Sequence, residues 1–157
     1  MPEGPAPLVK LPPVQQIGVV VEDMDRAIAH YARFGWGPFQ VHEFENKGVT
    51  CFGATTDCRM KIAFYNSGPV EIELIQVLEG DTPHTRFLEQ RGEGIQHLRF
   101  EIDGLQDILK KLAPLDIKPI FNHTYREIGI DFAYLDTDVD GGVIMELIEI
   151  AAPGGGR

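Results

Sequence analysis

From Gly94 to Ile102 apolar and polar side chains alternate, with Gln96, Leu98, Phe100 and Ile102 on one face and His97, Arg99 and Glu101 on the other. A period of two is the signature of a strand. One face is mostly apolar and the other carries chemistry, although a solvated outer face would account for His97, Arg99 and Glu101 equally well. The pattern occurs twice. Residues 14–21 lie over residues 95–102 with a shift of 81 (97 − 16), so that Gln16 stands where His97 stands. The segments that follow, 24–34 and 105–115, are both helix-like and both lead to a proline, Pro38 and Pro119. Residues 68–75 then lie over residues 141–148 with a shift of 73 (146 − 73), which sets Glu73 over Glu146. Two matches that differ only by eight residues of connecting loop describe one module used twice.

Taken in order, the chain opens on a leader, residues 1–13, with Pro2, Pro5, Pro7, Pro12 and Pro13 and little periodicity, which predicts an extended or flexible segment. A strand over 14–21 follows, then carboxylates at Glu22, Asp23 and Asp25 that suit a helix N-terminus, then Ala27, Ile28, Tyr31 and Phe34 at helical spacing. Short β-rich runs cover 40–44, 49–54, 60–65 and 70–76, punctuated by Asn46, Gly48, Asp57 and Gly68, and predict a three-strand meander. The plan is β-α-β-β-β. A connector, 79–93, holds a short helix over 83–90, and the plan repeats with a helix over 105–115 and strands over 119–123, 131–136 and 143–150. Module one is thus 14–78, module two 94–150, together one domain over 14–150, and 151–157 is a frayed tail.

In each last strand one face, Val70, Ile72 and Leu74 or Val143, Met145 and Leu147, is fit to lie under a helix, and Glu73 and Glu146 point the other way among Ile75, Ile144 and Ile148. A carboxylate among isoleucines is costly to bury unless it is paired or bound to a metal. The repeat therefore singles out Gln16, Glu73, His97 and Glu146 as metal-capable side chains at equivalent positions.

Bulk properties narrow the partners. A chain of 157 residues, 43% hydrophobic, supports a substantial core. Its charge of −10, with no Lys/Arg cluster, excludes nucleic acid as the expected partner. No apolar run of about 18 residues predicts a membrane span, and no charged-then-apolar leader is visible, so the expected location is the cytoplasm. Cys51 and Cys58 are too few for a disulfide framework. Arg59, Lys61 and Arg99 offer an anionic substrate local charge, although scattered basic residues on an acidic chain mostly serve solubility. Tyr31, Trp36, Phe39, Phe44, Phe52, Phe64 and Tyr125 are suited to stacking on a ligand but read mainly as core, and His30, His42, His84 and His123 read as surface or loop residues.

The repeat and the motifs Ile72-Glu73-Leu74, Gln96-His97-Leu98 and Met145-Glu146-Leu147 resemble the vicinal oxygen chelate superfamily over residues 14–150. The resemblance implies an α+β fold in which two βαβββ modules form a cupped mixed sheet around one divalent metal, with Gln16, Glu73, His97 and Glu146 as ligands. Such a donor set suits Co, Mn, Ni, Fe or Zn. The stretch 68–75, with Phe87-Leu88 and residues 91–97, resembles the methylmalonyl-CoA epimerase-like branch, which implies a proton shift beside a thioester carbonyl with Glu146 and Glu73 as acid and base. In that branch a further base stands on the strand after the first helix, where this chain aligns Cys51. Gln16, Glu73, His97 and Glu146 together also resemble the ligand set of a glyoxalase subgroup, so a lactoylglutathione-lyase-like isomerase is an alternative. A non-catalytic small-molecule binding or resistance protein is another. An extradiol dioxygenase fits less well, because Gln16 replaces one histidine of its iron site. Cys51 and Arg99 are the expected substrate-pocket residues, a small molecule the expected partner, and a homodimer the expected assembly.

Overall fold

The computed structural model describes residue 4 and residues 6–151, so parts of the expected leader (1–3 and 5) and tail (152–157) lie outside the described residues. In chain order the elements are β1 (Gln16–Val20), α1 (Met24–Ala32), β2 (Gln40–Cys51), β3 (Ala54–Ser67), β4 (Val70–Glu79), α2 (Pro83–Arg91), β5 (Gly94–Glu101), α3 (Leu105–Leu112), β6 (Pro119–Tyr125), β7 (Ile130–Leu135), α4 (Asp138–Gly141) and β8 (Ile144–Ile150). The α+β, two-module fold is the one the repeat predicts. The strands run β1-β4-β3-β2-β6-β7-β8-β5 around a closed barrel.

The cupped sheet closes on itself where β2 meets β6. The runs at 40–44 and 49–54 are not separate strands: Asn46 to Val49 hold a bulge inside one long β2, with Gly48 at φ +65° and its N–H donated to Asp57 Oδ1 at 2.9 Å. Glycine takes that left-handed conformation without a Cβ clash, so the strand bends and continues instead of ending. Its far end reaches β6 through Thr50 opposite Asn122 and Cys51 opposite Phe121. The helix expected over 105–115 splits into α3 and a 3₁₀ turn, Ala113–Leu115, because Pro114 cannot donate to the helix ladder.

The repeat holds down to individual contacts. β1 pairs with β4 in parallel, Gln16 opposite Glu71 and Gly18 opposite Glu73, and β5 pairs with β8 in the same sense, His97 opposite Ile144 and Arg99 opposite Glu146. Between the modules β1 and β5 run antiparallel, Gln16 opposite Arg99 and Gly18 opposite His97. Adding 81 to a β1 position returns the same set of pairs, which is the mark of an internal two-fold. Each helix covers the outer face of its own module. Met24 in α1 and Leu105 in α3, repeat equivalents, are both fully buried, one against Val19, Ile72 and Leu74, the other against Phe100, Leu135 and Leu147. Leu11 and Val14 also pack on the α3 side.

Each last strand also caps its helix. Gln76 Oε1 accepts from Met24 N at 3.0 Å, and at the equivalent place Glu149 accepts from Gly104 N at 3.0 Å and Leu105 N at 2.9 Å. A helix N-terminus leaves its first N–H groups without intrahelical partners and attracts negative charge. We therefore expect Glu149→Ala to lower stability by about 1–2 kcal/mol, and Glu149→Gln by less, because an amide oxygen performs this task at position 76. Denaturant midpoints at constant slope measure both; an unchanged midpoint for the alanine variant would refute the cap.

Candidate functional site

The two-fold brings four side chains to the inner wall of the barrel. Gln16 and His97 are fully buried, and Glu73 and Glu146 are each 7% exposed. His97 Nε2 lies 3.3 Å from Glu73 Oε2 and 3.3 Å from Glu146 Oε2. These are ion-pair distances, but the angles do not make hydrogen bonds, and His97 Nε2 and Glu146 Oε2 have no hydrogen-bonding partner. Gln16 Oε1 is likewise without one.

The local sequence explains why these atoms are free. In β5 the register against β1 slips, Gly18 opposite His97 and Val19 opposite Ile95, so Gln96 is an extra residue and the strict alternation fails there. Gln96 and His97 are both buried, and Gln96 Oε1 stands 3.1 Å from His97 Nδ1. That contact holds the proton on Nδ1 and leaves Nε2 facing the carboxylates. Opposite His97 there is no side chain: a Cβ on Gly18 would sit 1.9 Å from His97 Cε1, so the imidazole occupies the space that only glycine leaves. Gln16 is set by a relay. Arg99 Nη2 lies 3.4 Å from Glu71 Oε1, which accepts from Gln16 Nε2 at 2.7 Å, and this turns the amide oxygen away from Glu71. Gln96, Gly18 and Glu71 escaped the sequence reading; the doubled glutamine at Gln15-Gln16 and the polar Gln96 on an apolar face were its only signals.

Two carboxylates in an apolar barrel call for a cation between them. Burial pulls the His97 pKa down, but the adjoining Glu146 and Glu73 carboxylates more than reverse this and raise it to about 9. An imidazolium is one such cation. A divalent ion is the other, and the donor set suits it: three unpartnered buried atoms, two carboxylates, one imidazole and one amide oxygen. Among the described residues no group of three His, Cys, Asp or Glu side chains stands ready to hold a metal as it is. His97 is drawn toward both carboxylates, and loss of its proton frees Nε2 to ligate.

Glu73 and Glu146 border a cavity of about 160 Å³ whose walls include Phe44, Met60, Ile62, Phe64 and Phe132. Cys51 and Arg99, the expected pocket residues, do not line it. The Cys51 thiol donates to the Asp81 carbonyl at 3.4 Å within the core cluster of Val49 and Met60, and burial pushes its pKa up to about 11, so it is no substitute for a base. The cavity positions of β2 are Phe44 and Asn46, before the bulge at 46–49, and Cys51, beyond it, faces the same interior beside Phe121. Arg99 is spent on Glu71. Of the aromatic residues singled out, Phe44, Phe64 and Tyr125 line the cavity, whereas Tyr31, Trp36 and Phe39 pack beneath α1. His84, expected at the surface, is 1% exposed and borders the cavity from the first turn of α2.

Two outcomes test this arrangement. Gly18→Ala should cost about 1–3 kcal/mol by overpacking yet become nearly neutral when combined with His97→Ala; additive losses in the double-mutant cycle would show that the two do not touch. In the metal-free protein, the raised His97 pKa contributes stability that is complete below its ordinary value of 6.5 and is lost as pH rises through about 9. Denaturation midpoints across that window should fall; a His97→Ala variant should lack this phase, and a flat parent profile would refute the imidazolium.

With this geometry in view, likeness to known proteins is informative. The family model described as Glyoxalase/Bleomycin resistance protein/Dioxygenase superfamily matches residues 15–134. The chain is 30% identical over 92 residues to the Bacillus subtilis protein YqjC, covering 58% of this chain and 66% of that protein, just under two thirds of its length. It is 25% identical over 145 residues to the mitochondrial methylmalonyl-CoA epimerase of Mus musculus, covering 90% of this chain and 75% of that one. The fold is also that of a Streptomyces coelicolor methylmalonyl-CoA epimerase variant solved with 2-nitronate-propionyl-CoA, with a TM-score of 0.64 at 20% identity over 91% of this chain and all of that one (100%). Among the described residues no helix is long and apolar enough to cross a membrane. A family model that spans well over half of the residues, on a barrel with the matching internal repeat, establishes that the chain belongs to the glyoxalase/bleomycin resistance protein/dioxygenase superfamily.

Proposed function

We propose that this chain is a metal-dependent enzyme that shifts a proton on carbon beside a carbonyl, epimerase-like, on an acyl-CoA such as methylmalonyl-CoA. The observation that carries the reading is the pair Glu73 and Glu146, one from each module, both 3.3 Å from His97 Nε2 and both on the wall of one cavity. One carboxylate removes the α-proton and the other returns one to the opposite face, which inverts the centre. Gln16, Glu73, His97 and Glu146 would hold a divalent ion, which would supply Lewis-acid stabilisation of the charge that develops on the carbonyl oxygen. The apolar walls around Phe44, Phe64 and Phe132 exclude water, which strengthens these electrostatic effects. A cavity of about 160 Å³ is below the range of sites that enclose a drug-sized ligand, so it takes the acyl group and leaves the CoA tail outside. The likeness to methylmalonyl-CoA epimerases supports the choice of first substrate.

The ligand types favour one second reading. A Gln/Glu/His/Glu set with Glu146 beside the cavity also serves isomerisation of a hemithioacetal, where a single carboxylate can carry the proton both ways. The expected homodimer stays part of the proposal, and sedimentation at micromolar concentration decides it.

The protein is expected to take up one divalent ion per chain and to lose most of that affinity on His97→Ala or Glu146→Gln. In deuterium oxide the loaded protein should place deuterium at the α-carbon of methylmalonyl-CoA, and Glu146→Gln should slow this by about 10²–10⁴-fold. Exchange into hemithioacetals alone would select the glyoxalase-type reading. No exchange from either class, with metal bound, would leave a binding protein.

A further inference from the structure

The proposed reaction does not use His84, yet this residue borders the same cavity as Glu73 and Glu146. Thr82 caps α2 through a bond from Thr85 N, and the first turn of the helix carries His84 into the barrel. Its ring packs edge-on against Phe121 and Tyr134, and the Tyr134 ring in turn lies 4.8 Å from that of His97. His84 Nε2 stands 3.4 Å from Tyr134 Oη, and His84 Nδ1 has no partner.

A count of protons shows what the pair lacks. A neutral imidazole has one N–H and one bare nitrogen, and a phenol has one O–H. If Tyr134 donates to Nε2, the proton of His84 sits on Nδ1 with no acceptor. If Nε2–H donates to Tyr134 Oη instead, the phenolic O–H is the one left over. Either tautomer leaves a donor unused in a buried place, which costs about 1–3 kcal/mol. The missing partner is an acceptor oxygen. Among the described residues no Lys or Arg lines the cavity.

We propose that His84 and Tyr134 form a hydrogen-bonding edge that recognises an acceptor oxygen, such as a keto or hydroxyl group, on the cavity-filling group of a ligand. The inference rests on the proposed reaction only for what the rest of the ligand is: in that reaction the edge donates to an oxygen of the acyl group other than the thioester carbonyl. Size agrees, since a cavity of about 160 Å³ matches one known to admit a single six-membered ring.

Cyclohexanone and methylenecyclohexane, which share a shape and differ in the acceptor, test this by NMR titration of the protein as purified. The parent is expected to prefer the ketone, His84→Leu to lower the ketone-to-alkene affinity ratio about tenfold, and His84→Gln, which restores a donor, to keep most of it. A purely structural histidine would not produce a change in the ratio that glutamine rescues. An equal ratio in the parent and His84→Leu, or a parent that binds neither probe, overturns the proposal. Should the leucine variant fail to fold, a parent without ketone preference or a folded glutamine variant that has lost it overturns it equally. Deuterium exchange is a separate readout, so loss of the epimerase-like reading leaves this result standing and the reverse also holds.

Discussion

Two buried carboxylates that face one another across a barrel impose the constraint on which the rest of the site depends. Each is costly to desolvate and together they repel, so a positive charge between them favours the folded site. His97 meets that demand when protonated, and in the proposed reaction it would instead be a ligand to a divalent ion. Much of the surrounding structure serves its orientation. Gln96 fixes its proton on Nδ1, the bulge at Gln96 lets both side chains point inward, and Gly18 vacates the volume that the ring fills. The Glu71 carboxylate carries a comparable load for Gln16, and Arg99 balances its charge.

The internal repeat made the fold legible because it encodes pairing as well as elements. Shifts of 81 and 73 residues predict that Gln16 and Glu71 pair as His97 and Ile144 do, and the strands obey. Helix capping by Gln76 and Glu149 follows from the same shifts. What remained hidden depends on breaks in periodicity. A pattern of two cannot announce a bulge, and two of the bulges matter here: one doubles the inward side chains at 96–97, the other sets Cys51 on the same inner face as Phe44 and Asn46. His84 was hidden for another reason. It belongs to the connector, which has no repeat equivalent, and a helix too short to show a clear apolar face gives no sign that its first turn enters a barrel.

Symmetry of the scaffold and asymmetry of its side chains divide the labour. The two-fold relates Glu73 to Glu146, and these remain identical, as a reaction that approaches a planar centre from both faces would require. It also relates Gly18 to Arg99 and Gln16 to His97, and these have diverged completely. On one side the absent Gly18 side chain admits the His97 ring; on the other, the long Arg99 side chain reaches Glu71 and through it orients an amide. Exchange of either residue for its counterpart would fill the first space or empty the second. In the proposed reaction the carboxylates would keep the symmetry that proton transfer needs, and the residues between them break it, so that one imidazole and one amide would share a single central charge.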